Sequence, residues 1–199
     1  MKSVLLSALA FGFFSSQIAF AAVEIGQKAP EFTLTNHEGK STSLNDFADK
    51  IVVLEWYNED CPFVRKHYDP KNMQTLQKTY GDKEVVWLTI ASSAKGKQGH
   101  VEQARAKELM KKEGTKARMM LLDHDGVVGR AYDAKTTPHM YVINNGTLVY
   151  QGAIDSIASA NAADIPKAEN YVMKALESVM KGEAVAMAKT KPYGCSVKF

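Results

Sequence analysis

Residues 51–62 read Ile-Val-Val-Leu-Glu-Trp-Tyr-Asn-Glu-Asp-Cys-Pro and predict a buried strand that runs into a helix. The first seven residues are apolar except for Glu55, and residues 64–80 have a helical pattern. Pro62 suits the first helical position, because no backbone N–H is lost there. Cys61 therefore lies at a strand-to-helix junction, where unpaired N–H groups and the helix dipole favour a thiolate. We predict a redox or nucleophilic centre at Cys61.

The first 21 residues predict a secretory signal peptide. Lys2 precedes an apolar stretch at 4–20, which ends in the small-x-small pattern Ala19-Phe20-Ala21. An uncleaved anchor is the alternative, but the stretch is interrupted by polar residues and is short for a membrane span. No later segment is apolar enough over sufficient length to cross a membrane. We therefore expect an exported protein, located in the bacterial periplasm, where a disulfide can persist.

Composition limits the classes of partner. The chain has 199 residues, with 25 basic and 22 acidic side chains and a formal net charge of +3. This small charge predicts neither a nucleic-acid partner nor a lipid surface. Two cysteines, Cys61 and Cys195, allow only one intramolecular disulfide.

Strand-like and helix-like segments alternate after the leader, which is typical of an α/β domain built around a central sheet. A short hairpin is predicted near 32–40, and a second one joins 141–143 to 148–150 across Asn144-Asn145-Gly146. Further strands are expected at 51–57, 85–91 and 119–122. Helical segments are expected at 44–48, 101–112, 127–132 and 168–179, with 153–163 as a loop.

Several motifs together resemble the thioredoxin fold, and specifically the redoxin branch that includes alkyl hydroperoxide reductase and thiol-specific antioxidant proteins. These motifs are residues 26–34, the strand entering Cys61-Pro62, residues 122–126, Thr137-Pro138 and the following strand at 141–143. Exported proteins of this branch share similar segments at 92–94, 96–100 and 194–198. The resemblance implies a central mixed β-sheet flanked by helices, an N-terminal hairpin extension, and a C-terminal helix plus tail. The domain boundaries become 22–182 for the redoxin domain and 183–199 for the tail carrying Cys195.

The resemblance also implies a substrate groove beside Cys61. Thr137-Pro138 corresponds to the cis-proline corner that packs beside the active cysteine in this fold. A proline at this place also favours a loop entering a strand, since X-Pro disfavours helix at the preceding residue. With Pro62 and His139, these residues are the predicted substrate-binding positions.

The motifs separate two chemistries within the redoxin branch. Thioredoxin-like reductases have Cys-x-x-Cys, whereas peroxiredoxins have one peroxidatic cysteine at the second of these positions. Cys61 matches the first position, and Val64 occupies the second. Peroxiredoxins also place an arginine just before the strand at 141–143, where this chain has Pro138. Thiol–disulfide exchange is therefore favoured over ordinary peroxidase activity.

Glu55 and Cys195 are the other predicted catalytic residues. Glu55 corresponds to the buried acid of thioredoxins, and burial would raise its pKa and suit it to proton transfer during exchange. The alternative is an exposed or lysine-paired glutamate. Cys195 is either a resolving thiol, which attacks a mixed disulfide or sulfenic acid on Cys61, or one half of a structural disulfide. Both readings of Cys195 remain open.

Other polar residues near Cys61 have simpler interpretations. Arg65 and Lys66 follow Cys61 by about one helical turn, and we interpret them as a solvated helix face. His67 and His139 make a copper or zinc site conceivable, but no close ligand pair supports it. The glycine-containing loop at 96–99 lacks phosphate-loop spacing. We predict no cofactor and no metal.

The sequence thus predicts an exported thiol–disulfide oxidoreductase with Cys61 as nucleophile and Cys195 as a possible resolving thiol. The expected partner is a thiol- or disulfide-bearing protein or a small thiol, with peroxide as a further possible substrate. One alternative is an atypical thiol-dependent peroxidase with an antioxidant role. The other is a non-catalytic redoxin-fold binding protein with a structural disulfide.

Overall fold

The computed structural model describes residues 23–199, so the predicted signal peptide lies outside the described residues. Its centre is a seven-stranded mixed sheet in the order β2-β1-β5-β4-β3-β7-β8, and two further short strands pair with each other. The strands are β1 (Thr33–Asn36), β2 (Ser41–Ser43), β3 (Ile51–Trp56), β4 (Val86–Ala91), β5 (Met119–Leu122), β6 (Thr136–Thr137), β7 (His139–Asn144), β8 (Thr147–Gly152) and β9 (Cys195–Ser196). Strands β3, β4 and β5 are parallel, and the remaining pairings are antiparallel. The predicted central mixed sheet is confirmed.

Helices cover both faces of the sheet. They are α1 (Pro62–Tyr68), α2 (Asn72–Gly81), α3 (Gln103–Lys112), α4 (Val127–Ala131) and α5 (Tyr171–Met180). Buried residues of α1, α2, α3 and α5 pack on one face of the sheet, and α4 packs on the other with a 3-10 turn at Leu44–Phe47. Among residues 23–199, no helix combines the length and apolar character that a membrane span requires.

The predicted helix at 64–80 is wrong in one respect, because the chain forms two helices there. Helix α1 ends at Tyr68 and α2 begins at Asn72. Pro70 lacks a backbone N–H and disfavours helix at the residue before it. Lys71, the N-cap of α2, has φ 65° in the left-handed region. Because of this break, α1 is a short helix that directly follows Cys61, and α2 is a separate helix.

The β7–β8 hairpin follows the prediction closely. Asn145 and Gly146 form its two-residue loop with φ values of 47° and 75°, as a type I′ turn requires. Helix α5 begins at Tyr171 rather than 168, because Asn170 caps it by accepting a hydrogen bond from the Met173 amide at 2.9 Å. Residues 162–167, partly expected as loop, form a 3-10 helix.

The tail at 183–199 has no helical or strand periodicity in sequence, yet it is docked along its length. The Gln151 amide donates to the carbonyl of Ala188 at 2.9 Å, and the Ala94 amide donates to that of Lys198 at 2.8 Å. Between these contacts, β9 pairs with β6. The tail therefore returns across the domain to the edge that carries Cys61.

Candidate active site

Cys61 is the N-cap of α1 and is fully buried. Strand β3 ends five residues earlier, and Pro62 occupies the first helical position as predicted. The Cys61 thiol donates a hydrogen bond to the carbonyl oxygen of Thr137 at 2.9 Å. The Thr137–Pro138 peptide bond is cis, so the structure places the cis-proline corner directly against the sulfur.

The structure brings Cys195 to the same corner. In the β6–β9 pair, Cys195 lies opposite Thr137, whose carbonyl oxygen Cys61 contacts, and both cysteines are free thiols. Gly194 makes this approach possible. Its φ is 143°, and a Cβ there would lie 2.1 Å from the carbonyl oxygen of Thr137. The two cysteines, remote in sequence, thus meet at a cis-proline corner.

The two thiols differ in acidity. Burial is the largest influence on Cys61 and raises its pKa, but the Cys195 thiol, the Thr137 hydroxyl and the backbone amides of Cys195 and Val64 outweigh it and lower the pKa below the ordinary value. For Cys195, burial and then the hydrogen bond and charge of Cys61 raise the pKa to about 11. This asymmetry means that Cys61 loses its proton more readily than Cys195.

Glu55 is fully buried on β3, on the sheet face that carries Cys61. Its carboxylate accepts hydrogen bonds from Tyr68 at 2.7 Å, Trp87 at 2.7 Å and Gln77 at 3.2 Å. Burial raises its pKa to about 7, although these hydrogen bonds oppose the rise. Tyr68 belongs to the same apolar cluster as Cys61 and stands next to Glu55. Glu55 makes no direct hydrogen bond to the thiol, and its role as proton carrier remains a prediction.

The charged residues around Cys61 are mostly engaged with one another. Glu59 accepts two hydrogen bonds from Arg105, at 3.1 and 2.5 Å, so its negative charge is paired with the Arg105 guanidinium. Arg65 pairs with Glu113 at 3.0 Å and with Asp69 at 3.3 Å. Arg65 is therefore a partly buried ion-pair residue rather than the solvated side chain that we expected. Sequence analysis did not identify Arg105, whose helix lies well beyond Cys61 in the chain.

Lys66 corrects the sequence interpretation more strongly, because it is buried. Its ammonium group donates to Asp155 at 2.9 Å, to the carbonyl of Ile157 at 2.8 Å and to the hydroxyl of Tyr193 at 3.2 Å. The Tyr193 hydroxyl also bonds to Asp155 and lies 3.4 Å from His67 Nε2. This group, which we call the Lys66 cluster, joins α1 to the tail two residues before Cys195. No sequence pattern links these residues.

His139 lies on the other side of the sheet from the thiol. Met140 and Val142 pack in the apolar cluster of Cys61, so strand alternation directs His139 and Tyr141 to the opposite face. His139 Nδ1 accepts from the Lys135 amide at 3.2 Å and lies 3.0 Å from the Tyr141 hydroxyl. The prediction that His139 lies beside Cys61 is therefore wrong, whereas Thr137, which precedes Pro138, contacts the sulfur through its carbonyl oxygen.

Comparison with known proteins gives a family match and partial relatives. The model of the AhpC/TSA family matches residues 25–151. The thioredoxin-like protein YneN of Bacillus subtilis is 35% identical over 72 residues, which is 36% of this chain and 41% of that protein. The chain thus spans less than half of the length of the curated relatives that it matches.

Solved structures cover more of the chain. An uncharacterized conserved protein from Geobacillus kaustophilus has a TM-score of 0.77 and 28% identity, over 88% of this chain and 92% of that one. The thioredoxin domain of a thiol-disulfide oxidoreductase from Bacteroides vulgatus has a TM-score of 0.52 and 20% identity, over 73% and 98% of the two chains. These similarities confirm the thioredoxin-like fold.

Proposed function

The chain belongs to the AhpC/TSA family, and from this we propose that it is a thiol–disulfide oxidoreductase with Cys61 as nucleophile and Cys195 as resolving thiol. The observation that carries the proposal is the meeting of these two free thiols at the cis-proline corner. A lowered pKa at Cys61 beside a raised pKa at Cys195 supports the assignment of roles. Disulfide-bearing proteins and small disulfides are the proposed substrates.

The first step is attack on the substrate disulfide. The Cys61 thiolate forms a bond to one substrate sulfur, and the other substrate sulfur leaves as a thiolate. The product is a mixed disulfide on Cys61 and one released substrate thiol group, which takes up a proton. Glu55, with a pKa of about 7, is the proposed source of this proton, relayed past Tyr68.

The second step closes the internal disulfide. Cys195 attacks the Cys61 sulfur, the second substrate sulfur leaves as a thiolate, and this thiolate takes up the proton that Cys195 loses. The substrate disulfide has then gained two electrons, and the chain holds a Cys61–Cys195 disulfide. An external dithiol reduces this disulfide and restores both thiols. Once Cys61 is part of a mixed disulfide, it no longer raises the pKa of Cys195, whereas the effect of burial on Cys195 remains.

Substrate access requires the tail to move. The Cys61 side chain is fully buried, while Cys195 is partly exposed. Gly194 and Cys195 lie directly over the Thr137 carbonyl that Cys61 contacts. Displacement of the tail would expose both the sulfur and the backbone of β6, to which an extended substrate could pair in the place of β9.

Peroxide reduction is the second function that the family supports. In that reaction the Cys61 thiolate would attack a peroxide oxygen and release an alcohol or water, which leaves a sulfenic acid that Cys195 resolves. Among the described residues, however, no arginine hydrogen-bonds to the Cys61 sulfur, and Arg65 is held by Glu113. We therefore rank disulfide exchange first.

We also propose that the protein is exported to the periplasm. The support is the sequence of residues 1–21, with Lys2, an apolar stretch and Ala19-Phe20-Ala21. An oxidising compartment would let the Cys61–Cys195 disulfide form as part of turnover. N-terminal sequencing of the protein from a periplasmic fraction tests this, and a cytoplasmic protein that retains Met1 contradicts it.

The decisive experiment maps cysteine connectivity by mass spectrometry during a redox titration of wild type and Cys195→Ser. We expect a Cys61–Cys195 disulfide with a potential above about −250 mV, and a trapped mixed disulfide on Cys61 in the variant. Rapid sulfenic-acid formation with peroxide, and turnover sustained by a thiol reductant, would instead establish the peroxidase. A disulfide that resists reductant until the protein unfolds would exclude both enzymatic functions.

A further inference from the structure

The loop at residues 92–102 carries a cluster that the proposed function does not use. It contains the glycine-rich motif at 96–99 and ends in His100 and Glu102, the N-cap of α3. His124, which follows β5, lies against it, and the ring centroids of His100 and His124 are 4.7 Å apart. One ligand atom from each of His100, Glu102 and His124 falls within 4.8 Å of the others.

The hydrogen bonds from the two histidines to carbonyl oxygens determine which ring nitrogens can bind an ion. His100 Nδ1 lies 3.0 Å from the carbonyl oxygen of Ser93, and His124 Nε2 lies 2.9 Å from that of Val101. A carbonyl oxygen can only accept, so each of these nitrogens carries the hydrogen. In the neutral rings, His100 Nε2 and His124 Nδ1 therefore present lone pairs. Histidines that bind metals characteristically donate their other N–H to a carbonyl or carboxylate in this way.

We propose that His100, Glu102 and His124 bind a divalent transition-metal ion of intermediate softness, such as Zn²⁺, Cu²⁺ or Ni²⁺. Two imidazole nitrogens and one carboxylate oxygen form a donor set that suits these ions better than Mg²⁺ or Ca²⁺, which prefer oxygen ligands. Glu102 already directs a carboxylate oxygen to His100 Nε2, at 3.0 Å. This contact is a hydrogen bond only while the His100 ring carries a second hydrogen, on Nε2. An ion that binds Nε2 would displace that hydrogen and leave at least one coordination position for water or a ligand.

An ion bound by these three residues would restrain the loop at residues 92–102. A Cβ on Gly99 would lie 2.7 Å from the side chain of Asn58, so the loop is packed against the segment just before Cys61. On its other side, Lys198 donates to Gln98 at 2.5 Å, and the Ala94 amide donates to the carbonyl of Lys198. An ion that joins His100 to His124 would hold this loop, and with it the end of the tail. The proposal does not depend on the redox chemistry of Cys61.

The test is a calorimetric titration of Zn²⁺ into the untagged protein without its leader. Wild type and the Cys61→Ser, Cys195→Ser double variant should both bind one equivalent, because the proposed ligands are not thiols. His124→Gln and Glu102→Gln should each weaken binding by more than about tenfold. Glu102 is exposed, so Glu102→Gln leaves the packing intact and guards against loss of binding through misfolding.

His37→Gln is the matched control, because His37 lies outside the cluster and should leave affinity unchanged. Co²⁺ supplies an independent readout, since histidine and carboxylate ligation gives visible absorption without thiolate charge-transfer bands. Loss of binding in the double cysteine variant, or thiolate bands with Co²⁺ in wild type, would overturn the proposal. Equal weakening in His37→Gln and His124→Gln would overturn it as well.

Discussion

At Cys61, hydrogen bonds rather than a neighbouring cation lower the pKa of the thiol. Arg65 is the cation nearest in sequence, but its guanidinium contacts Glu113 and Asp69. The thiol and the backbone amide of Cys195 are both among the groups that lower the pKa of Cys61. Under the proposed function, the residue that helps to activate the nucleophile is therefore also the residue that resolves its mixed disulfide.

Replacing Cys195 tests this dependence. We expect Cys195→Ala to raise the pKa of Cys61 by about one unit, because a hydrogen bond to a charged group contributes roughly 1.5 kcal/mol. The pH dependence of Cys61 alkylation by iodoacetamide measures the change. Cys195→Ser retains a donor and should show a smaller shift. An unchanged pKa in Cys195→Ala would mean that Cys195 has no part in activating the thiol.

Glu55 makes stability depend on pH in a defined window. In the folded state its pKa is raised from 4.5 to about 7, so the protonated form of Glu55 favours folding. Its contribution to the free energy of unfolding is fully present below pH 4.5 and is lost as pH rises toward 7. In wild type the free energy of unfolding should fall by about 3 kcal/mol across this window, at 1.36 kcal/mol per unit. Urea unfolding at a series of pH values measures the fall.

Two substitutions separate Glu55 from other carboxylates in this measurement. Glu55→Gln resembles the protonated acid and should abolish the fall, because its amide can donate to Tyr68 while its oxygen accepts from Trp87. Exposed Glu183 is the control, and Glu183→Gln should behave as wild type. A full-size fall in Glu55→Gln would show that another group titrates in this range.

At the scale of the elements, the pairing of β6 with β9 depends on one glycine. Gly194 lies so close to the Thr137 carbonyl that a Cβ cannot fit, and its φ of 143° also favours glycine. Gly194→Ala should displace β9 and slow Cys61–Cys195 disulfide formation by at least about tenfold, because the effective concentration of the second thiol falls. Stopped-flow oxidation by a small disulfide measures this rate.

Gly182→Ala is the matched control for the displacement of β9. Gly182 also has a positive φ, 73°, but no atom lies within 4 Å of its would-be Cβ. This variant should lose some stability through backbone strain and keep the oxidation rate of wild type. Equal slowing in both variants would assign the effect to general destabilisation rather than to the β6–β9 contact.

The Lys66 cluster joins helix α1 to the tail through a buried charge. Asp155→Asn would leave the Lys66 ammonium buried without its carboxylate, and we expect a loss of about 3–5 kcal/mol of unfolding free energy. Thermal and urea unfolding measure the loss. Asp82→Asn removes an exposed ion pair with Lys78 and should cost less than about 1 kcal/mol. A comparably small loss in Asp155→Asn would mean that Lys66 finds other partners or water.

On the scale of the whole molecule, local signals in the sequence predicted most of the sheet and less of the site. The apolar run before Cys61 and the Asn145-Gly146 turn have short-range causes, so β3 and the β7–β8 hairpin were predictable. Lys66 meets Asp155 only because the tertiary fold brings α1 beside the loop after β8. The docked tail depends likewise on Gly194, whose fit against Thr137 has no periodic signature.

The proposed exchange function limits how far oxidation can stabilise the whole fold. A Cys61–Cys195 disulfide closes a loop of about 135 residues, for which the chain-entropy model gives roughly 5 kcal/mol. Urea unfolding of the oxidised and reduced protein measures the difference, and Cys195→Ser should show no dependence on reductant. We expect a difference well below this value, because a disulfide that exchanges has a raised potential and stabilises the fold less; the full difference would indicate a structural disulfide.

The order of the two cysteines along the chain has a consequence for biosynthesis. All seven strands of the main sheet are complete by Gly152, whereas Cys195 lies beyond α5. A nascent or prematurely terminated molecule that stops short of residue 195 carries a nucleophile with no internal route to release its substrate. Under the proposed exchange chemistry such molecules remain covalently attached to the first disulfide that they attack. Once Cys195 has been synthesised, it can release the bound substrate and allow turnover. Only molecules whose synthesis has reached the tail can therefore act as catalysts.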